Sequence, residues 1–393
     1  MPATVIDDAL TVQDRVVALR RRLHRHPELG LQLPRTQEAV LEELADLGLD
    51  IRTGLSTSSI VADLEGGRPG PTVLLRGDMD ALPMPEDTGL EFASSVPERM
   101  HACGHDAHTA MLAGAARVLR GRRDDLAGRV RFMFQPGEEG FGGARFMIDE
   151  GVVDHVDHAY ALHVSPNLPS GWIGTRPGSL MASADTFDIE IIGRGGHASM
   201  PHYSLDPIPV ACEVVTAIQA FVTRRIDVFD PAVVTVARIE AGTTSNVIAE
   251  RAILEGTIRA VSERSRRAAH EAVGRIAEHV TAAHECTANV SIDEGYPVTV
   301  NDGAAARHAL AVAARVLGER STIELPAPVM GAEDFSYVLQ RVPGAMAFLG
   351  VCPPGMDPAS APACHSNRMQ LDEDAMAAGV AMLVALATDP TPA

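Results

Sequence analysis

The chain has 393 residues, beyond the ~250–300 at which a single hydrophobic core usually stops growing, so two domains are expected. Its formal net charge is −19, which excludes nucleic acid and anionic membrane as partners, since both require basic faces. Apolar residues make up 46% of the sequence, so it should fold throughout, and no apolar run reaches the ~18 residues of a membrane span.

The opening MPATVIDDALTVQD carries no basic segment followed by an apolar one, so no secretory signal is expected. VQDRVVALRRRL and TQEAVLEELADLG place apolar residues at helical spacing, with Thr36 and Gly48 as end signals for the second. SIVADL, TVLLRGDMDAL, RVRFMFQ and HAYALHV are apolar, β-rich runs. Between them DAHTAMLAGAARVLRG reads as a helix, for which Asp106 is a natural N-cap. Strands alternating with helices predict an α/β fold with a mostly parallel sheet. From about Ala184 the texture changes to strand, helix, two strands (AVVTVARIEAG and NVIAERAILEGTIRA), helix, strand. That β-α-β-β-α-β order is the ferredoxin-like unit. After Asp302 the α/β texture returns, with a helix through AAARHALAVAARVLG, a strand in AMAFLG and a buried helix over Ala375–Ala387. The expected organisation is a domain of residues 1–183 and 299–393 with an inserted domain of 184–298.

The five cysteines, Cys103, Cys212, Cys286, Cys352 and Cys364, are odd in number and scattered. No disulfide framework is expected, and a reducing cytoplasm fits.

Five segments put soft or acidic side chains at strand ends or loops: RGDMDAL (Asp78, Asp80), HACGHDAH (Cys103, His105), FQPGEEG (Glu138, Glu139), ALHVSP (His163) and ACHSN (His365). An open α/β sheet gathers such residues at its carboxyl edge. Cysteine, histidine and carboxylate together suit zinc, manganese or cobalt. Cys103 and His105 flank Gly104, which lets the backbone bend so that both side chains reach one side. A buried free cysteine beside a helix-capping histidine explains the same residues equally well. In FQPGEEG, neighbouring side chains of an extended segment point opposite ways, so one glutamate can bind metal while the other faces a water. Two solvated loop glutamates are the alternative, though Gly140, Gly142 and Gly143 argue for a tight, fixed turn. Asp80 is either a strand-end carboxylate or a residue that orients a ligand.

With these residues set out, the sequence resembles the aminoacylase/carboxypeptidase family of di-metal hydrolases, in its hippurate hydrolase and indoleacetyl-amino-acid hydrolase branch. The resemblance runs from HRHPELG through RGDMDALPM, MHACGHDAHTAMLAG, FQPGEEGFGGARFMI, LHVSP, GRGGHASMPH, SNVIAE, GTIRA and MGAEDFSYV to CHSN. It implies that Cys103, His105, Glu139, His163 and His365 bind two divalent ions (manganese or zinc, with cobalt or nickel as further candidates). It implies Glu138 as general base, with Asp80 in the catalytic set. Asp78 stands where sister branches carry a metal-binding histidine. The inserted domain resembles the family's lid and dimerisation domain, so a homodimer or tetramer is implied. There His197 donates to the oxyanion in a partner subunit's site, and Asn246, Arg259 and His202 contact substrate. Ala249 departs from the family's usual proline after NVI. Glu333 and Asp334 in GAEDF are expected near His365, unless Asp334 caps the helix that follows.

The expected activity is metal-dependent hydrolysis of N-acyl amino acids carrying an acetyl, benzoyl or aryl-acetyl group. A metallo-dipeptidase or carboxypeptidase acting on short peptides is the nearest alternative. A metal-free thiol hydrolase using Cys103 and His105, or a non-catalytic metal-binding protein, are the competitors from other classes.

Overall fold

The computed structural model describes residues 4–389; Met1–Ala3 and the last four residues, which end the expected outer domain, lie outside it. It divides into two compact units, one of Met1–Leu180, Val300–Ala327 and Asp334–Ala393, the other of Met181–Thr299 and Pro328–Glu333. The short return of 328–333 to the smaller unit has no counterpart in the expected boundaries.

The larger unit is built on an eight-stranded sheet. Its strands run, in spatial order, Asp50–Thr53, Ile60–Glu65, Ala127–Gln135, Arg68–Asp78, His158–Ser165, Gly344–Gly350, Ile173–Thr175 and Thr322–Glu324. The four inner strands from Ala127–Gln135 to Gly344–Gly350 pair in parallel. Helices cover them, so their side chains are buried on both faces, and Gly344–Gly350 is buried at every position. That is why these runs are continuously apolar rather than alternating. The helix Val5–His24 opens with a capping box between Thr4 and Asp7. It packs with His105–Gly121 and Met376–Thr388. The last of these is buried from Met376 to Ala387, and among the described residues no helix is long and apolar enough to cross a membrane.

Three sequence expectations fail locally. Thr36 does not start its helix, which runs Pro34–Leu44 with proline in the first turn; instead the Thr36 N–H donates to Glu28. Asp106 is not an N-cap, because Gly104 takes that place at φ 82°, and Asp106 is spent elsewhere. The run NVIAERAILEGTIRA is two strands, not one. Val247–Ile248 pairs with Gly196–His197, and Arg251–Ala260 with its sheet neighbours.

In the smaller unit the four long strands form one antiparallel sheet, in the order Ala232–Ala241, Arg251–Ala260, Asp185–Ile192, Thr287–Glu294. One face is apolar, as the strict alternation of buried and less buried residues in Arg251–Ala260 shows. The helices Pro207–Arg225 and Glu263–Ala283 cover it. Each starts on a side-chain cap, Asp206 and Ser262 respectively.

Asp106 anchors a buried charge network in the larger unit. One of its carboxylate oxygens accepts from Arg20 Nε at 3.0 Å and from His24 Nδ1 at 2.8 Å, while His24 Nε2 lies 3.2 Å from Glu86. Burial opposes charge on His24, but Asp106 and then Glu86 outweigh it and lift its pKa to about 9. The folded value exceeds the unfolded one of ~6.5. The stabilisation, roughly 3 kcal/mol, is therefore fully present below that pH and is lost as pH rises through about 9. His24→Gln should be markedly less stable than wild type at pH 6, with the gap closing by pH 10. Urea unfolding at both pH values checks this; a pH-independent gap would count against a charged His24.

Candidate active site

Three adjacent parallel strands deliver residues to one edge of the large sheet. Arg68–Asp78 ends at Asp78, Ala127–Gln135 runs into the turn bearing Glu138 and Glu139, and His158–Ser165 carries His163 near its end. The loop Met100–Gly104 opens the buried helix His105–Gly121 beside them.

These side chains converge. Ligand-type atoms of Cys103, His105 and His163 lie within 4.8 Å of one another, as do those of Cys103, Glu139 and His365, and those of His105, Glu138 and Glu139. His105 is fully buried among four carboxylates. Its ring nitrogens lie 3.5 Å from Asp78, 3.5 Å from Asp80, 3.9 Å from Glu138 and 4.0 Å from Glu139. Burial works against a charged ring, yet Asp78 and Asp80 raise its pKa well above the usual value. Such a concentration of negative charge is suited to a cation.

The two glutamates do not sit on an extended segment. They begin a turn, and both carboxylates face His105. Asp80 fixes this arrangement by accepting the backbone N–H of Glu138 and of Glu139, each at 2.9 Å. The turn itself is forced by Gly140 and Gly142 at φ 86° and 65°. At Gly143 a Cβ would come within 1.6 Å of the Pro136 carbonyl oxygen, so only glycine fits. Burial raises the Glu139 carboxyl, but the His365 ring, 3.3 Å away, brings it below the ordinary range.

Hydrogen bonding separates candidate ligands from supports. His163 donates Nδ1–H to its neighbour's carbonyl, Val164 O, at 2.7 Å, which leaves the Nε2 lone pair facing Cys103 Sγ at 3.3 Å. That is the tautomer a metal-binding histidine adopts. Both His105 nitrogens and Glu139 Oε1 are buried with no hydrogen-bond partner among the described residues. A divalent ion would satisfy all of them, so the donor set fits a metal centre. His108, by contrast, is fully used. Its Nδ1 bonds Asp78 at 2.6 Å and its Nε2 accepts Val164 N–H at 2.8 Å, which makes it a support. Sequence reasoning passed over it, and the third histidine of HACGHDAH was the only signal.

A second support was also missed. Arg76, fully buried, pairs with Asp78 at 2.6 Å and Asp334 at 3.1 Å. Asp334 also accepts from Gln135 and from the backbone N–H of Ala144. It makes no side-chain cap to the helix Phe335–Leu339, so the capping alternative fails. Ligand-type atoms of Asp334 and Glu138 lie within 4.8 Å.

The thiol-hydrolase alternative finds no support. The ring nitrogen beside Cys103 belongs to His163, not His105, and the bond to Cys364 together with burial pushes the Cys103 thiol well above its ordinary pKa.

The remaining expected residues lie in the smaller unit. His197 and Asn246 line a cleft of about 650 Å³ together with Glu240, Gly242 and Ile248. The His197 and Asn246 segments are tied by Ala198 N–H donating to Asn246 O. His197 Nδ1 accepts the backbone N–H of Ser199 at 3.1 Å, so the neutral ring carries its proton on Nε2. Arg259 is half-buried with no hydrogen bond or ion pair among the described residues, and burial lowers its pKa. His202 is exposed with its ring tilted against that of Tyr203, and Glu333 is buried.

Comparison with known proteins agrees with this geometry. Residues 74–389 match the model of peptidase family M20/M25/M40. The chain is 38% identical over 381 residues to thermostable carboxypeptidase 1 of Saccharolobus solfataricus, covering 95% of this chain and 94% of that protein. It is 40% identical over 342 residues to N-acetylcysteine deacetylase of Bacillus subtilis, covering 86% and 88%. The crystal structure of the Bacillus subtilis YXEP protein, described as a dinuclear metal binding peptidase from the M20 family, superposes with a TM-score of 0.83. The two are 35% identical over 96% of this chain and 99% of that one. The chain therefore belongs to peptidase family M20/M25/M40 and is a hydrolase of amide bonds.

Proposed function

We propose that the protein hydrolyses the amide bond of N-acyl amino acids, releasing a carboxylic acid and a free amino acid. The observation that carries this reading is the donor set around His105: cysteine, three histidines and paired glutamates, with unpartnered buried nitrogens facing carboxylates. The relationship to an N-acetylcysteine deacetylase supports an acyl amino acid over a longer peptide. The relationship to a carboxypeptidase keeps short peptides as the second reading.

Cys103, His105, Glu139, His163 and His365 would hold two divalent ions, manganese or zinc. When bound, such ions supply Lewis acidity for the amide carbonyl and lower the pKa of water. Glu138 takes the proton of the attacking water and passes it to the leaving amine. Asp80 holds the Glu138–Glu139 turn through its two backbone contacts. His197 presents Nε2–H to the oxyanion. Arg259 binds the substrate carboxylate bidentately, and its unpaired, half-buried guanidinium supports that role. Asn246, His202 and Glu333 complete the substrate contacts. The smaller unit serves as a ferredoxin-like lid and dimerisation domain; its strand order and antiparallel pairing support the ferredoxin-like part of that assignment. Five free cysteines, one of them exposed, support a cytoplasmic location.

The decisive assay is a panel of N-acetyl, benzoyl and aryl-acetyl amino acids after reconstitution with manganese, zinc, cobalt or nickel, with a chelator control. Hydrolysis should depend on metal. Analogues amidated at the amino-acid carboxylate should lose ~2–4 kcal/mol of transition-state stabilisation, because the contact to Arg259 disappears. Equal turnover of acid and amide would remove Arg259 from the scheme, and turnover of dipeptides alone would favour the second reading.

If His197 acts in a partner's site, two inactive variants should complement. Mixing Glu138→Ala with His197→Ala chains, with exchange verified by mass-tagged subunits, gives mixed dimers in which one site carries both lesions and the other neither. Random exchange makes roughly half the dimers mixed, so about a quarter of wild-type activity should return. No recovery after verified exchange places His197 in its own chain's site.

A further inference from the structure

The mechanism leaves one side chain beside the metal ligands without a role. Cys364 precedes His365 and lies against the Cys103 segment. The Cys364 sulfur is 4.0 Å from the Cys103 carbonyl oxygen and 3.8 Å from that of Val164. The backbones are joined as well, since His365 N–H donates to Ala102 O at 2.8 Å. His365 adopts φ 69°. This left-handed turn lets consecutive side chains diverge, with Cys364 directed to Cys103 and His365 to Glu139 at 3.3 Å. The Cys364 sulfur close to the Cys103 backbone, on segments joined by a backbone hydrogen bond, brings the two thiols to the neighbourhood a disulfide needs.

We propose that Cys103 and Cys364 are a modification site, forming a reversible disulfide that switches off metal binding. Cys364 is the entry point, because it is partly exposed between exposed Ala363 and His365 while Cys103 is buried. Hydrogen peroxide converts the Cys364 thiol to a sulfenic acid and releases one water. The Cys103 sulfur then attacks the Cys364 sulfur, the S–O bond breaks, the disulfide forms and a second water leaves. A dithiol reductant returns both thiols by exchange. No other cysteine is placed for this reaction. Cys352 directs its sulfur to the carbonyls of Pro353 and Met356, Cys286 is buried in the smaller unit's own apolar core, and Cys212 is exposed on the helix Pro207–Arg225. The cross-link itself is independent of the functional reading. Its effect on metal rests on that reading, because it consumes the sulfur that Cys103 would offer to metal and ties down the residue next to His365.

The test treats metal-free protein with substoichiometric hydrogen peroxide, blocks remaining thiols and maps cross-links by mass spectrometry. Trypsin joins Cys352 and Cys364 in one peptide, residues 342–368, and puts Cys103 in residues 100–117, so fragmentation must localise the bond. The expected result is a Cys103–Cys364 cross-link, with manganese binding by equilibrium dialysis reduced at least tenfold and both changes reversed by dithiothreitol. Prior loading with manganese should slow cross-linking. Cys364→Ser, or Cys364→Ala if serine unfolds the turn, should form no cross-link at Cys103 and keep its manganese affinity after peroxide. A bond from Cys103 to Cys352, or stable sulfinic acid at Cys364 without a cross-link, overturns the site. A Cys103–Cys364 bond that leaves manganese affinity unchanged overturns the switch and, separately, the assignment of Cys103 as a ligand.

Discussion

Glu138→Gln is expected to lower kcat by ~10²–10⁴ while leaving KM little changed. The substitution is nearly isosteric, and the backbone N–H of residue 138 still bonds Asp80, so the turn should keep its shape. What disappears is a carboxylate that approaches His105 without being tied to Arg76, as Asp78 is, or to the backbone of the glutamate turn, as Asp80 is. The proposed ligand set, Glu139 included, is untouched, so metal content by elemental analysis should match wild type. Both glutamates face His105 at nearly equal distance, 3.9 and 4.0 Å, which makes this a demanding test of the division of labour. A variant that loses metal instead would exchange the roles of Glu138 and Glu139.

Asp334→Ala is expected to destabilise the protein by ~3–5 kcal/mol, the range for removing one partner of a buried ion pair. Arg76 keeps Asp78 but loses its second carboxylate. Gln135 and Ala144 lose an acceptor that they reach at 2.8 and 2.9 Å. Ala144 lies in the first turn of the helix Gly143–Asp149, directly after the glutamate turn. Activity should therefore fall even where the variant is fully folded. Asp334→Asn, which keeps an oxygen acceptor, should cost less on both counts. Urea unfolding of the two variants decides the matter. A loss below ~1 kcal/mol for alanine would mean that the cluster relaxes around water instead of depending on Asp334.

The site's chemistry was legible because its motifs are local. Cys103 and His105 are two residues apart with Gly104 between them, and Glu138 and Glu139 are adjacent and flanked by Gly137 and Gly140. The supports were not legible, because their partners are remote in the chain. Arg76 meets Asp334 across 258 positions and Arg20 meets Asp106 across 86. No spacing rule connects such residues. They meet only through tertiary packing: Arg20 and Asp106 where the helices Val5–His24 and His105–Gly121 lie together, Arg76 and Asp334 where a strand meets the start of the helix Phe335–Leu339.

By itself the sequence determined the elements and the class of chemistry. Unbroken apolar runs specify strands covered on both faces, and helical spacing of apolar residues specifies the helices packed on them, because burial acts on local periodicity. Only the tertiary structure decided which titratable groups act and which hold others in place. His105 and His108 differ by three positions, yet one has both nitrogens unpartnered and the other has both consumed by Asp78 and Val164. Likewise Asp106 reads as a cap until Arg20 and His24 are beside it, and Glu138 and Glu139 read as opposed until the glycine turn brings them together. The reason is physical: a buried polar atom takes its role from whichever partner satisfies it, and that partner arrives only when the chain has folded.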